Sequence, residues 1–159
     1  MNRRHLLSAA LATLATLASG ILNAQTVPTD KPPLLQVWKD PNCGCCGDWV
    51  KHLQASGFLV QVFDTGNTAA RKRLGMPDAL GSCHTARVGG YVIEGHVPAA
   101  DILRLLREKP DALGLAVPGM PIGSPGMDGP EYKGRRDAYD VLLVARVGTT
   151  RVFQSHNRT

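Results

Sequence analysis

The sequence is poor in aromatic residues, with three Phe, three Tyr and two Trp among 159 positions. It therefore has no interleaved aromatic platform on which bases could stack. Its positive charges are scattered, and Arg71-Lys72-Arg73 is the only three-residue basic run. A run of that length reads as a solvated helix face, so nucleic acid is not an expected partner. Internal repeats are absent. Long apolar runs are absent too, apart from one near the N-terminus. Cysteine is scarce at four residues, and the paired spacing typical of zinc sites occurs at most once.

The N-terminal run reads as an export signal. Arg3 and Arg4 give a positive start, Leu6 to Leu22 carry no charge, and Leu22-Asn23-Ala24 offers a small residue for cleavage before Gln25. The run is short for a spanning helix, which needs roughly 20 residues, although an uncleaved anchor is the alternative. Asn2-Arg3-Arg4-His5-Leu6-Leu7 also fits a twin-arginine signal, beside the ordinary export route. Residues 1–24 are thus expected to be a signal peptide and the protein periplasmic. Residues 25–33, with Pro28, Pro32 and Pro33, are expected to be a linker. Loss of Arg3 and Arg4 lowers the net charge of +5 by two, to +3. The remaining chain is long enough for one domain with one core.

Periodicity predicts a strand at Leu34–Trp38, a turn at Lys39–Asn42, a helix over Asp48–Ser56 closed by Gly57, and a strand at Phe58–Phe63. Asn67 is placed to cap a helix running to Leu74, with Gly75 as its stop and one further turn at Asp78–Ser82. Thr85–Val88 and Tyr91–Glu94 flank Gly89-Gly90 as a hairpin. Val97-Pro98 opens a helix to Glu108, ended by Pro110. Residues 114–130 hold five Gly and four Pro and read as a long irregular segment of functional character. A final strand at Val141–Val147 pairs with Val152-Phe153. The fold class is therefore α/β: a thioredoxin-like β-α-β-α-β-β-α domain over residues 34–112. A Gly/Pro/Met-rich C-terminal extension with a terminal hairpin follows over residues 113–159.

The chemistry centres on Cys43-Gly44-Cys45-Cys46. Cys43 and Cys46 form a C-x-x-C pair at a helix start, where the helix terminus favours thiolate, so disulfide exchange is one reading. Cys45 adds a third sulfur, and a bridge between adjacent cysteines is strained. Three thiols in four residues make a poor disulfide framework and a good nest for soft metals such as Cu(I), Zn(II) or iron–sulfur clusters. Cys83 completes four, at a point of the third strand that faces the cysteine helix in thioredoxin-like folds and usually holds a cis-proline. A structural zinc domain and plain buried thiols are the other readings of the same count.

Met120 and Met127 place two thioethers in the irregular segment, either as Cu(I) ligands or as pins to the core. Met76 reads as packing. His84 adjoins Cys83 and is the histidine best placed to reach the site. His96 is either a ligand or a hydrogen-bonded capping or core residue. His52 is expected to be solvated, and His156 lies in an uninformative tail.

Four blocks, Pro41–Cys46, Gly81–Ala86, Gly89–Pro98 and Gly114–Met127, occur in this order over about residues 34–154. Together they resemble the CopG-type copper-resistance family of Gram-negative bacteria. The resemblance implies a periplasmic thioredoxin-like domain whose C-terminal extension helps bind metal. It implies several copper ions bridged by the sulfurs of Cys43, Cys45, Cys46 and Cys83, and a role in interconverting Cu(I) and Cu(II) alongside copper efflux. The expected site is Cys43, Cys45, Cys46, Cys83, Met127, Met120, His84 and His96. Its expected partners are copper ions, efflux machinery and an electron donor or acceptor, with the chain acting as a monomer.

Overall fold

The computed structural model describes residues 31–158, so the signal-peptide expectation and most of the linker lie outside the described residues. Among the described residues, no helix is long and apolar enough to cross a membrane. Within the described residues seven strands form one mixed sheet in the order β2-β1-β3-β4-β5-β6-β7, accompanied by three α-helices.

β1 (Leu34–Lys39) alternates as its sequence predicts, burying Leu35 and Val37 while Leu34 stays exposed. An Asx turn follows, in which the Asn42 N–H donates to the Asp40 carboxylate. α1 spans Gly44–Ala55 and so begins four residues earlier than expected. Gly44 and Gly47 look like helix breakers, but Gly44 is the first helical residue, whose N–H lacks an intrahelical partner anyway, and the Gly47 N–H closes the first turn on the Cys43 carbonyl. The consequence for the site is direct, because Cys43 becomes the N-cap and Cys45 and Cys46 sit in the opening turn. α1 buries Trp49, Val50 and Leu53 and returns the chain to β2 (Leu59–Phe63), which pairs parallel to β1.

α2 (Thr68–Leu74) stops at Gly75, whose φ of 78° is the left-handed cap that glycine supplies cheaply. Asn67 precedes α2 but does not cap it with its side chain, contrary to expectation; its Nδ2 donates to the Ser82 carbonyl instead. A 3-10 turn at Asp78–Leu80 leads to β3 (His84–Val88). β3 pairs antiparallel with β1 and, through Gly89-Gly90, with β4 (Tyr91–Glu94). α3 (Ala99–Glu108) follows Pro98, and Lys109 and Pro110 end it.

The C-terminal part departs most from expectation. Gly114–Ala116 is a strand, β5, parallel to β4. A Cβ on Gly114 would stand 1.7 Å from the Val92 carbonyl oxygen, so this pairing needs glycine. The residue that made the segment look irregular is the one that lets it join the sheet. β6 (Tyr139–Val144) and β7 (Thr150–His156) then form an antiparallel hairpin with an irregularity at Val141/Leu142. β6 starts and stops earlier than its pattern suggests, leaving Val147 exposed in the turn, and β7 extends beyond Val152-Phe153 at both ends.

Strand alternation divides the interior. Ile93, Leu115 and Leu143 join the main core with Trp49, Leu53, Ile102 and Leu105 from α1 and α3. Their sequence neighbours Val92, Ala116 and Val144 join a smaller cluster with Met76, which is packing as expected. The sheet is therefore covered on both faces.

Candidate metal centre

The site forms where the start of α1 meets the start of β3 and the β4–α3 junction. The sulfurs of Cys43, Cys45, Cys46 and Cys83 lie within 4.8 Å of one another. Cys83 Sγ also forms a second set of that span with one ring nitrogen each from His84 and His96. Cys83 is thus common to a sulfur cluster and a mixed sulfur–imidazole set.

Cys43 and Cys46 are joined as a disulfide, while Cys45 and Cys83 are free. This corrects the expectation that the triplet makes a poor disulfide framework. The strain argument holds for neighbours in sequence. Across the first turn of α1, however, the Cys43 and Cys46 Cα atoms are 5.4 Å apart, within the range a disulfide spans. The bridge also assigns hydrogen-bond roles. Cys43 has no proton, so the Cys45 thiol is the donor across their 3.5 Å contact. Likewise, Cys46 Sγ lies 3.6 Å from the Cys83 carbonyl oxygen as a contact rather than a hydrogen bond. All four sulfurs become available as thiolate ligands once the disulfide is reduced by two electrons.

His96 is fully buried, and its Nδ1 faces the Pro125 carbonyl at 2.9 Å. A carbonyl only accepts, so Nδ1 carries the proton and Nε2 keeps a lone pair. That nitrogen lies 3.1 Å from Cys83 Sγ, whose thiol donates to it. A backbone carbonyl holding the remote N–H is the usual way a protein orients a metal-binding imidazole.

His84 is fully buried as well, with Nδ1 3.4 Å from Cys83 Sγ. Its ring lies 4.1 Å, centroid to centroid, from that of Trp49. Trp49 Nε1 in turn donates to the Val97 carbonyl. His84 Nε2 is buried without a hydrogen-bond partner among the described residues. A buried ring nitrogen without a partner is costly in a purely structural site, and it is the other nitrogen, Nδ1, that faces the thiol.

Burial governs the protonation states. It lowers His84 well below the ordinary imidazole value, with neighbouring His96 adding to the effect, and it lowers His96 too. Both rings are therefore neutral near pH 7, the form that binds metal. Burial, with the adjacent Cys45 sulfur adding to it, pushes the Cys83 thiol up to about 12. In the metal-free protein Cys83 is a thiol, and a bound cation is what favours its thiolate. The donor set of four sulfurs and two neutral imidazoles fits a soft or borderline transition metal, with copper(I) and zinc both compatible.

The loop of residues 117–129 closes one side. At Gly126, φ is 85° and a Cβ would come within 2.5 Å of the Cys45 carbonyl oxygen and 2.8 Å of the Trp49 nitrogen. Only glycine lets this loop press so closely on the opening turn of α1. Met127 is buried and its sulfur accepts from the Tyr132 hydroxyl at 3.3 Å, whereas Met120 is 51% exposed. His52, expected to be solvated, is half-buried, and its Nε2 accepts from the Ala99 N–H that opens α3. His156 is paired with Asp101 at 2.7 Å, away from the metal set. Residue patterns did not single out Pro125, Trp49 or the Arg71–Glu94 pair. None of these carries a ligand signature: Pro125 acts through its backbone carbonyl and the others through side chains, all brought near by the fold.

Two solved structures match the chain at 49% sequence identity and a TM-score of 0.72, over 79% of this chain and 98% of theirs. They are entitled "Copper resistance protein copG", forms 2 and 1. The chain belongs to the CopG copper-resistance protein family. A family model described as "Protein of unknown function, DUF411" matches residues 80–127. Within this family member, that span runs from just before Cys83 through His84 and His96 to Met127. No curated protein sequence matches the chain.

Proposed function

We propose that this chain is a periplasmic copper-binding protein of copper resistance, built on a thioredoxin-like framework. It would hold several copper ions through bridging cysteine thiolates and interconvert Cu(I) and Cu(II). The observation that carries this reading is that a four-sulfur set, Cys43, Cys45, Cys46 and Cys83, and a mixed set, Cys83, His84 and His96, meet at Cys83. Thiolates favour Cu(I), while imidazoles also accommodate Cu(II), so a shared shell suits both oxidation states. A tight sulfur cluster favours bridging, since one thiolate can serve two ions. Met127, buried on the loop that closes the site, and exposed Met120 are the proposed thioether ligands. Parallel pairing of β1 with β2 and antiparallel pairing of β1 with β3 and of β3 with β4 supports the thioredoxin-like reading. Copper efflux machinery or an electron-transfer partner would receive or supply what the site holds, with the chain acting as a monomer.

The test is metal analysis of the protein reduced anaerobically, titrated with copper and desalted. More than one copper per chain is expected; less than one overturns the reading. A structural zinc domain would instead hold a single zinc and unfold on chelation.

The Cys43–Cys46 disulfide at the N-terminus of α1 favours a second reading, a thiol–disulfide oxidoreductase. That reading requires metal-free protein to reduce insulin and Cys83→Ser to retain the activity. Inactive metal-free wild type excludes it.

A further inference from the structure

Glu94, on β4, is fully buried and accepts three hydrogen bonds. Its Oε1 takes the Ser82 N–H at 2.8 Å and Arg71 Nε at 2.9 Å, and its Oε2 takes the Thr85 hydroxyl at 2.6 Å. Arg71, on α2, donates a second time, from Nη2 to the Ser82 carbonyl at 2.6 Å. Asn67 Nδ2 donates to that carbonyl at 3.0 Å and approaches Thr85 Oγ1 at 3.3 Å. One ion pair thus grips Ser82 at both its N–H and its C=O, and that C=O belongs to the peptide group joining Ser82 to Cys83.

The Ser82 hydroxyl has one proton, and the Gly119 carbonyl at 2.5 Å takes it in preference to Cys83 Sγ at 4.0 Å. Ser82 therefore ties four segments together: α2, β4, the approach to β3, and the loop that carries Met120. Arg71 keeps 13% of its side chain exposed and Glu94 none. Burying such a pair is a poor route to stability alone, because desolvation offsets much of the attraction. Its placement accounts for it better: Cys83 is the one residue common to both metal sets.

We propose that Arg71 and Glu94 are positioning residues. They fix the Ser82–Cys83 peptide so that Cys83 Sγ reaches the α1 sulfurs and both imidazoles at once. This role rests on the copper reading of the site, but half of its test does not.

The experiment uses the full chain, reduced and metal-free, in four variants: Arg71→Met, Glu94→Ala, Glu94→Gln, and Arg71→Met with Glu94→Gln. Cu(I) affinity is measured against a chromogenic Cu(I) chelator. Alkylation by iodoacetamide is followed by mass spectrometry at Cys83 and Cys45 separately, and thermal melting is recorded for each variant. Arg71→Met and Glu94→Ala are expected to lower Cu(I) affinity about 10–100-fold, the usual effect of removing a group that orients a ligand. They are also expected to speed alkylation of Cys83 relative to Cys45. Glu94→Gln keeps an oxygen for Ser82 and Arg71 and should stay close to wild type.

An unchanged Cys83-to-Cys45 alkylation ratio overturns the proposal. So does equal acceleration at both residues with a lowered melting temperature, which would make the pair merely structural. If a single variant fails to fold, the double variant carries the comparison, since it leaves no unpaired buried charge. Wild type that binds no copper overturns the functional reading, and the alkylation ratio still decides the clamp.

Discussion

The two halves of the site are built by different means. Cys43, Cys45 and Cys46 lie within four consecutive positions, and one helical turn brings them together. Cys83, His84 and His96 come from the approach to β3, its first residue and the β4–α3 junction. They meet only because β3 pairs with β4 and α1 packs against that pair. The first half is held by local backbone geometry. The second is held by a proline carbonyl, an indole ring and a buried ion pair. A contiguous cysteine motif can therefore tolerate changes elsewhere in the fold, whereas the mixed sulfur–imidazole half is as sensitive as the packing around it.

Trp49 is the seam between the halves, so its removal should have the largest effect. Trp49→Ala deletes a fully buried side chain and the ring against His84. It should cost about 3–5 kcal/mol of stability, measured by denaturant unfolding of the metal-free protein. A cost below about 1 kcal/mol would mean that the halves are held together elsewhere.

The next comparison is between Cys83→Ser and Cys45→Ser. Cys83 serves both donor sets, so its loss should lower Cu(I) affinity by more than the roughly 100-fold upper range for outer-shell changes. Cys45→Ser should cost less, because the mixed set survives. Equal losses would show that the two sets do not share a residue in any functional sense.

Gly126→Ala forces a side chain into left-handed backbone and against the Cys45 carbonyl. It should destabilise the protein by about 1–3 kcal/mol, read as a lowered denaturation midpoint.

The smallest effect is a pH dependence. Burial holds the folded-state pKa of His84 and His96 below that of the unfolded chain. The unfolded state therefore binds more protons as pH falls through about 6.5, and stability is lost on acidification. Glu94 has the opposite sign, since burial raises its carboxyl and the folded state takes up the proton first, so it offsets part of the loss from the two imidazoles. The metal-free protein should melt at a lower temperature at pH 5.5 than at pH 7.5, and His84→Phe should flatten the difference. A melting temperature that is higher at pH 5.5 would contradict neutral buried imidazoles.

The contrast also explains what the sequence made legible. The βαβ opening, the Gly89-Gly90 hairpin and α3 follow from alternation, helical period and turn chemistry, and they appear as expected. Cys43, Cys45 and Cys46 announce themselves by spacing, and Cys83, His84 and His96 by their place in the strand order. β5 was hidden because it is three residues long and opens on a glycine needed for close strand approach. The helix start at Gly44 was hidden because glycine in a first turn costs little. His52 was misjudged because its partner, the Ala99 N–H, comes from a helix nearly fifty residues away. The Cys43–Cys46 disulfide fits the C-x-x-C spacing, whereas the strain that makes the triplet look a poor framework belongs to the adjacent pair alone.

The long-range origin of Cys83, His84 and His96 bears on how metal and folding are linked. A ligand stabilises a protein only to the extent that it prefers the native over the unfolded chain, and any affinity for the unfolded chain subtracts from the benefit. The contiguous cysteines remain neighbours in an unfolded polypeptide, so a soft metal can bind there before any strand has formed. What distinguishes the native protein to that metal is the half assembled by the sheet. The cysteine motif is thus suited to first capture, and β3 with the start of α3 converts capture into folding free energy.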